Sequence, residues 1–127
     1  MTKKPKTILI IIIVIIAISV VGYLIVSAPD KPKENLDVFA QCLTTSGAKF
    51  YGTFWCSHCK NQKDMFGSSL QYAPYVECSN EDATAQLQVC TDAGIEAYPT
   101  WIFGDGTKQL GEISLAQLAQ KTGCQLP

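Results

Sequence analysis

Trp55-Cys56-Ser57-His58-Cys59 stands where an apolar, aromatic run, Lys49 to Trp55, gives way to a polar, helix-compatible one. Two cysteines separated by two residues close a small disulfide ring with little backbone movement, so the pair can exist as a dithiol or as a disulfide. Working outward, Ala48 to Trp55 alternates and carries Phe50, Tyr51, Phe54 and Trp55, the pattern of a central strand leading into the pair. Cys56 to Phe66 follows as a helix with Gly67 as its stop.

The flanking elements complete a domain. Leu36 to Ser46 puts Val38, Phe39, Cys42 and Leu43 on one helical face. After Pro74, Tyr75 to Cys78 reads as a short strand, and Glu81 to Ala93 as a helix with Ala83, Leu87 and Cys90 on its inner face. Tyr98 to Phe103 is a strand, Gly104-Asp105-Gly106-Thr107 has turn chemistry, and Lys108 to Gly111 returns as an edge strand. Ser114 with Gln117 forms a capping-box pattern ahead of Leu115, Leu118 and Ala119. The expected order is α-β-α-β-α-β-β-α.

That order, with a cysteine pair at a strand-to-helix junction, resembles the thioredoxin fold: an α/β arrangement of the α+β variety around a central mixed sheet. The resemblance rests on WCSHC at 55 to 59 and Tyr98-Pro99-Thr100 further on. With Phe39-Ala40-Gln41-Cys42-Leu43, Lys49-Phe50-Tyr51-Gly52, Tyr75-Val76-Glu77-Cys78 and Trp101 added, the chain is similar to the thioredoxin-like domain fused to bacterial vitamin K epoxide reductase homologues. The resemblance implies disulfide exchange between exported, cysteine-containing client proteins and a quinone-linked membrane oxidase. It also implies a cis peptide before Pro99, a client cleft formed by Trp55, Tyr98, Pro99 and Thr100, and no cofactor. Ser57 departs from the proline usual in that family, and Phe50 stands where many such enzymes carry a buried carboxylate for proton transfer. A slower proton-coupled step is the expectation from that replacement.

The nucleophile in disulfide exchange is the thiolate. Cys56 at the first turn of a helix gains from unpaired backbone N–H groups and the positive end of the helix dipole. Cys56 is therefore the candidate nucleophile, Cys59 one turn on the resolving thiol, and His58 the residue that tunes the thiolate. Zinc would want a second close pair of ligands, and the chain has one histidine and no second C-x-x-C, so no metal is expected. If Cys56 pairs with Cys59, three arrangements remain for Cys42, Cys78, Cys90 and Cys124. Placement makes a local Cys78–Cys90 bridge and a Cys42–Cys124 tie between the domain's ends reasonable, and the family resemblance favours the same two.

Thr7 to Val26 (TILIIIIVIIAISVVGYLIV) carries no charge and is long enough to cross a hydrocarbon core of ~30 Å as a helix. The competing reading is a cleaved signal peptide, with Val26-Ser27-Ala28 as the small-residue site. The length of the apolar run and Pro29 after the scissile bond weigh against it. The expected organisation is a cytoplasmic basic tail (1–6), a single-pass anchor (7–27), a proline-rich charged linker (28–35) and an extracytoplasmic domain (36–127). Lys3, Lys4 and Lys6 favour a cytoplasmic N-terminus.

All eleven carboxylates fall after Pro29 and there is no arginine, which argues against a nucleic-acid partner for the folded part. The leading expectation is a membrane-held thiol-disulfide oxidoreductase that oxidises or isomerises disulfides in exported proteins. A reductase fed by a membrane electron donor and a disulfide-stabilised binding domain without catalysis are the alternatives.

Overall fold

The computed structural model describes residues 5–26 and 35–127 and divides into two units, each taken by itself. The basic tail over 1–4, Ser27 and all but the last residue of the linker expected at 28–35 lie outside the described residues. The first unit contributes helix α1, Pro5–Val26. Its stretch Lys6–Tyr23 has a mean hydropathy of 2.6 and is long and apolar enough to cross a membrane. Ile8 to Val21 keep their side chains exposed, the opposite of a helix packed into a core.

In the second unit helix α2 (Asp37–Thr45) precedes strand β1 (Lys49–Gly52), and helix α3 (Ser57–Phe66) runs on into a 3-10 turn (Gly67–Tyr72). Strand β2 (Tyr75–Glu77), helix α4 (Gln88–Asp92), strands β3 (Thr100–Ile102) and β4 (Lys108–Leu110) and helix α5 (Leu115–Thr122) follow. The sheet order is β2-β1-β3-β4. β1 runs parallel to β2, with Phe50 opposite Tyr75, and antiparallel to β3, with Phe50 opposite Trp101. This is the thioredoxin fold with its mixed sheet.

The core follows from the aromatic residues of β1 and β3. Phe50 stacks on Trp101 with centroids 5.0 Å apart, and Trp101 stacks on Phe103 at 6.4 Å. Phe39 and Leu43 of α2, Phe66 of α3 and Leu118 of α5 pack on that layer. Phe50, which stands where the resemblance would put a proton-handling carboxylate, is fully buried apolar core. A smaller cluster on the other side joins Tyr51, Cys78, Cys90 and Ile95.

Gln62, a polar residue on α3, is buried within the main core. Its Nε2 donates to Ile113 O at 2.9 Å, and its Oε1 accepts from Ile113 N at 2.7 Å and Trp101 Nε1 at 3.2 Å. With every polar atom partnered, its burial avoids the usual penalty and fixes the β4–α5 loop to α3. Two disulfides join Cys42 to Cys124 and Cys78 to Cys90.

The elements differ from the sequence expectation in four places. Helix α4 begins at Gln88, not Glu81. Asn80 Oδ1 accepts from Thr84 N at 2.8 Å and Ala85 N at 3.1 Å, a local closure that competes with helix. Ser79 then pairs with Gln86 as an antiparallel bridge, which leaves Ala83 and Leu87 exposed. β1 ends at Gly52, because Thr53 to Cys56 forms a turn in which Cys56 N donates to Thr53 O. β3 starts at Thr100, after a proline that has no N–H for the ladder. On α2 the inward residues are Phe39, Ala40 and Leu43, while Val38 is 79% exposed and belongs to the outer face.

Candidate active site

Cys56 caps helix α3. Its backbone is extended, and Cys59 N donates to its Sγ at 3.4 Å, so the sulfur occupies the place where a capping side chain accepts one of the free amides of the first turn. A thiol and still more a thiolate is favoured as acceptor at that end of the helix dipole. Cys56 is part-exposed and Cys59 fully buried, and both are free thiols. Burial, and then the hydrogen bond with Cys56, push the Cys59 thiol up to about 12. One sulfur thus meets incoming molecules while the other stays protonated behind it.

Room for the buried sulfur comes from β1. A Cβ built on Gly52 would lie 2.9 Å from Cys59 Sγ and 3.2 Å from Tyr75 Cε2, so the thiol and the tyrosine ring share the space the glycine leaves. Burial and the hydrogen bond to Glu77 raise the Tyr75 phenol well above its ordinary range. Lys63 Nζ lies over the same ring at 4.0 Å from its centroid.

The proline loop faces the exposed sulfur. The Tyr98–Pro99 peptide is cis, and Cys56 Sγ donates to Tyr98 O at 3.8 Å. Tyr98 OH donates to Gln86 Oε1 at 2.6 Å, and its ring meets that of Trp55 edge-on at 6.1 Å. Trp55 is 56% exposed and its Nε1 donates to Ser79 Oγ at 3.0 Å. Trp55, Tyr98 and Pro99 are thereby gathered around Cys56. Pro99 and Thr100, both expected to line the cleft, have buried side chains instead, and the Thr100 hydroxyl donates to Ala97 O at 2.7 Å. It braces the proline loop from inside.

His58 is exposed and its Nδ1 contacts Glu112 Oε1 at 2.6 Å. That contact, and then the Asn61 hydrogen bond, hold the Glu112 carboxyl below the usual carboxylate range. Sequence reasoning missed Glu112, Gln62 and Glu77. Glu77 Oε1 accepts from Phe54 N at 3.2 Å, Cys78 N at 3.2 Å and Ser79 N at 3.0 Å, and its Oε2 accepts from Tyr75 OH at 2.6 Å. It binds the reactive turn to the end of β2. Its place at the strand's end, followed by a cysteine, was the only available signal. Among the described residues no group of three metal-ligating side chains comes together.

A capped, part-exposed sulfur with a buried partner thiol behind it and the Tyr98 carbonyl of the cis-proline loop in front of it is arranged to exchange a dithiol for a disulfide, on a fold built for that chemistry. The thioredoxin family model matches residues 41–122, and the chain belongs to the thioredoxin family. It is 48% identical over 91 residues to the thiol-disulfide oxidoreductase LTO1 of Arabidopsis thaliana, covering 68% of this chain and 24% of that protein. It is 32% identical over 79 residues to a probable protein disulfide-isomerase ER-60 of Schistosoma mansoni, covering 58% of this chain and 16% of that protein. The chain therefore spans a quarter or less of the length of these relatives.

Proposed function

We propose that this protein is a membrane-anchored thiol-disulfide oxidoreductase that works on the outer side of the membrane, oxidising or isomerising disulfides in exported proteins. The observation that carries the chemistry is the Cys59 N–H bond to Cys56 Sγ at the start of α3, with Cys59 buried behind it. In the oxidising direction a client thiolate attacks Cys56 Sγ of the Cys56–Cys59 disulfide, and Cys59 leaves with the electron pair and is protonated. A second client thiolate then attacks its own sulfur in the mixed disulfide, the client disulfide forms, and Cys56 leaves as the helix-capping thiolate. Trp55 and Tyr98 present the main chain and ring surface against which the client strand lies, with Pro99 buried behind them. Cys42–Cys124 and Cys78–Cys90 serve as structural bridges.

Anchoring is supported by the length and apolarity of α1. The outward orientation is supported by the lysines at 3, 4 and 6, and by the fit of six cysteines to an oxidising compartment. A quinone-linked oxidase resembling the vitamin K epoxide reductase homologues, as the source of oxidising equivalents, rests on the sequence resemblance of the domain.

The experiment is a redox titration of the full chain in detergent, with Cys56 and Cys59 followed by alkylation and mass mapping. A potential of about −120 to −180 mV supports oxidation or isomerisation, whereas one near about −270 mV overturns it in favour of a reductase. Trapping of client mixed disulfides by Cys59→Ser, and their loss in Cys56→Ser, checks the assignment of nucleophile and resolving thiol.

A further inference from the structure

Glu112 lies outside the cysteine motif, yet it reaches the side chain between the two cysteines. Its Oε1 is 2.6 Å from His58 Nδ1 and accepts from Asn61 Nδ2 at 3.2 Å. The carboxylate is not carried on a free loop. The next residue, Ile113, is fully buried, and both its N–H and its carbonyl are bonded to the Gln62 side chain on α3. The helix that presents His58 therefore also fixes the group opposite it.

We propose that Glu112 is a positioning residue that holds the His58 imidazole away from Cys56 and, through His58, sets the redox potential of the Cys56/Cys59 couple. The proposal rests on Cys56 and Cys59 being the working couple. A positive imidazolium free to approach Cys56 Sγ stabilises the thiolate, hence the reduced form, and makes the disulfide more oxidising. Glu112 opposes this twice. Its hydrogen bond occupies Nδ1, and its negative charge offsets the imidazolium that would otherwise face the sulfur. Of the other charged groups of α3, Lys63 lies over the Tyr75 ring beside Cys59, and Lys60 and Asp64 are paired with one another. An exposed pair of this kind adds little to stability. Its consequence lies in the potential, where a threefold to tenfold change in the equilibrium constant is about 14 to 30 mV.

The test equilibrates the full chain in detergent with reduced and oxidised glutathione at pH 5.5, where an imidazole without a partner is itself mostly protonated. In this equilibrium the Cys56–Cys59 bond accepts two electrons and two protons from two glutathione thiols, which join as glutathione disulfide. Glu112→Gln keeps the size of the side chain and an oxygen for His58 and Asn61 but drops the charge. It is expected to move the equilibrium about threefold to tenfold toward the dithiol, and Glu112→Asp to return most of the shift. In a His58→Ala background the same Glu112→Gln change is expected to fall below about twofold, as a double-mutant cycle requires of a residue acting through another. No shift, a shift toward the disulfide, or an equal shift with and without His58 overturns the proposal. A wild-type chain that forms no reversible Cys56–Cys59 disulfide is a separate result, which removes the oxidoreductase reading itself.

Discussion

Cys59 Sγ occupies the space that a side chain on Gly52 would need, 2.9 Å from where its Cβ would stand. The strand and the buried thiol are thus fitted to one another, and Tyr75 closes the same space from β2. Gly52→Ala overpacks this contact, because both neighbours are held by buried structure. The expected cost is about 1 to 3 kcal/mol, measured by urea unfolding, with faster alkylation of Cys59 as the sulfur is displaced. Unchanged stability and unchanged protection would show that the strand relaxes without effort.

The raised Cys59 thiol gives the reduced protein a definite pH dependence. Its folded value, about 12, lies above its ordinary 9.0, so between these values the folded state holds a proton the unfolded chain has lost. Stability from this group is fully present below pH 9 and is lost as pH rises from there toward 12. Reduced wild type is expected to weaken across that range relative to reduced Cys59→Ser, measured by chemical denaturation at successive pH values. Parallel curves for the two proteins would refute the assignment.

Glu77 collects four hydrogen bonds at the end of β2. Glu77→Ala leaves the Phe54 and Ser79 amides and a tyrosine hydroxyl to find other partners, while Cys78 N keeps Gly52 O. A loss of about 1 to 3 kcal/mol is expected, with hydrogen exchange quickened at Phe54 and Ser79 before the rest of the sheet. Glu77→Gln keeps one acceptor oxygen and is expected to lose less. Exchange confined to other segments would show that the reactive turn is held by something else.

The two structural disulfides close loops of very different length, with separations of 82 for Cys42–Cys124 and 12 for Cys78–Cys90. Loop-closure entropy puts their contributions at about 4.5 and about 2.8 kcal/mol. The Cys42→Ser, Cys124→Ser double variant is therefore expected to have the lower unfolding midpoint of the two double variants. The reverse order would mean that the Cys78–Cys90 bridge acts through the folded site and not only through the unfolded chain.

Much of the fold was visible in local pattern. The aromatic alternation of Phe50 and Tyr51, the Ser114/Gln117 cap and the turn at Asp105 to Thr107 each act over a few residues, and each appears where expected. The failures came where a side chain outbid the backbone. Asn80 holds Thr84 and Ala85 in a turn that apolar spacing alone reads as helix. Val38 satisfies the period of α2 but falls just outside the inward stripe. Cys56 and Cys59 could be found because their chemistry is written in adjacent residues, and Pro99 through the family resemblance. Glu112 reaches His58 across a separation of 54 residues, and Glu77 reaches Phe54 across 23, so their roles exist only after the chain is folded.

The capping role of Cys56 bears on the lifetime of any bond it makes. When its sulfur joins a partner, the atom that accepts the Cys59 amide becomes half of a disulfide, a poorer acceptor, and the first turn of α3 is left partly uncapped. Uncapping a helix costs about 0.5 to 2 kcal/mol, a strain that a mixed disulfide at Cys56 carries and the free thiol does not. The helix end acts as a spring set against any covalent adduct at this sulfur, and it favours release.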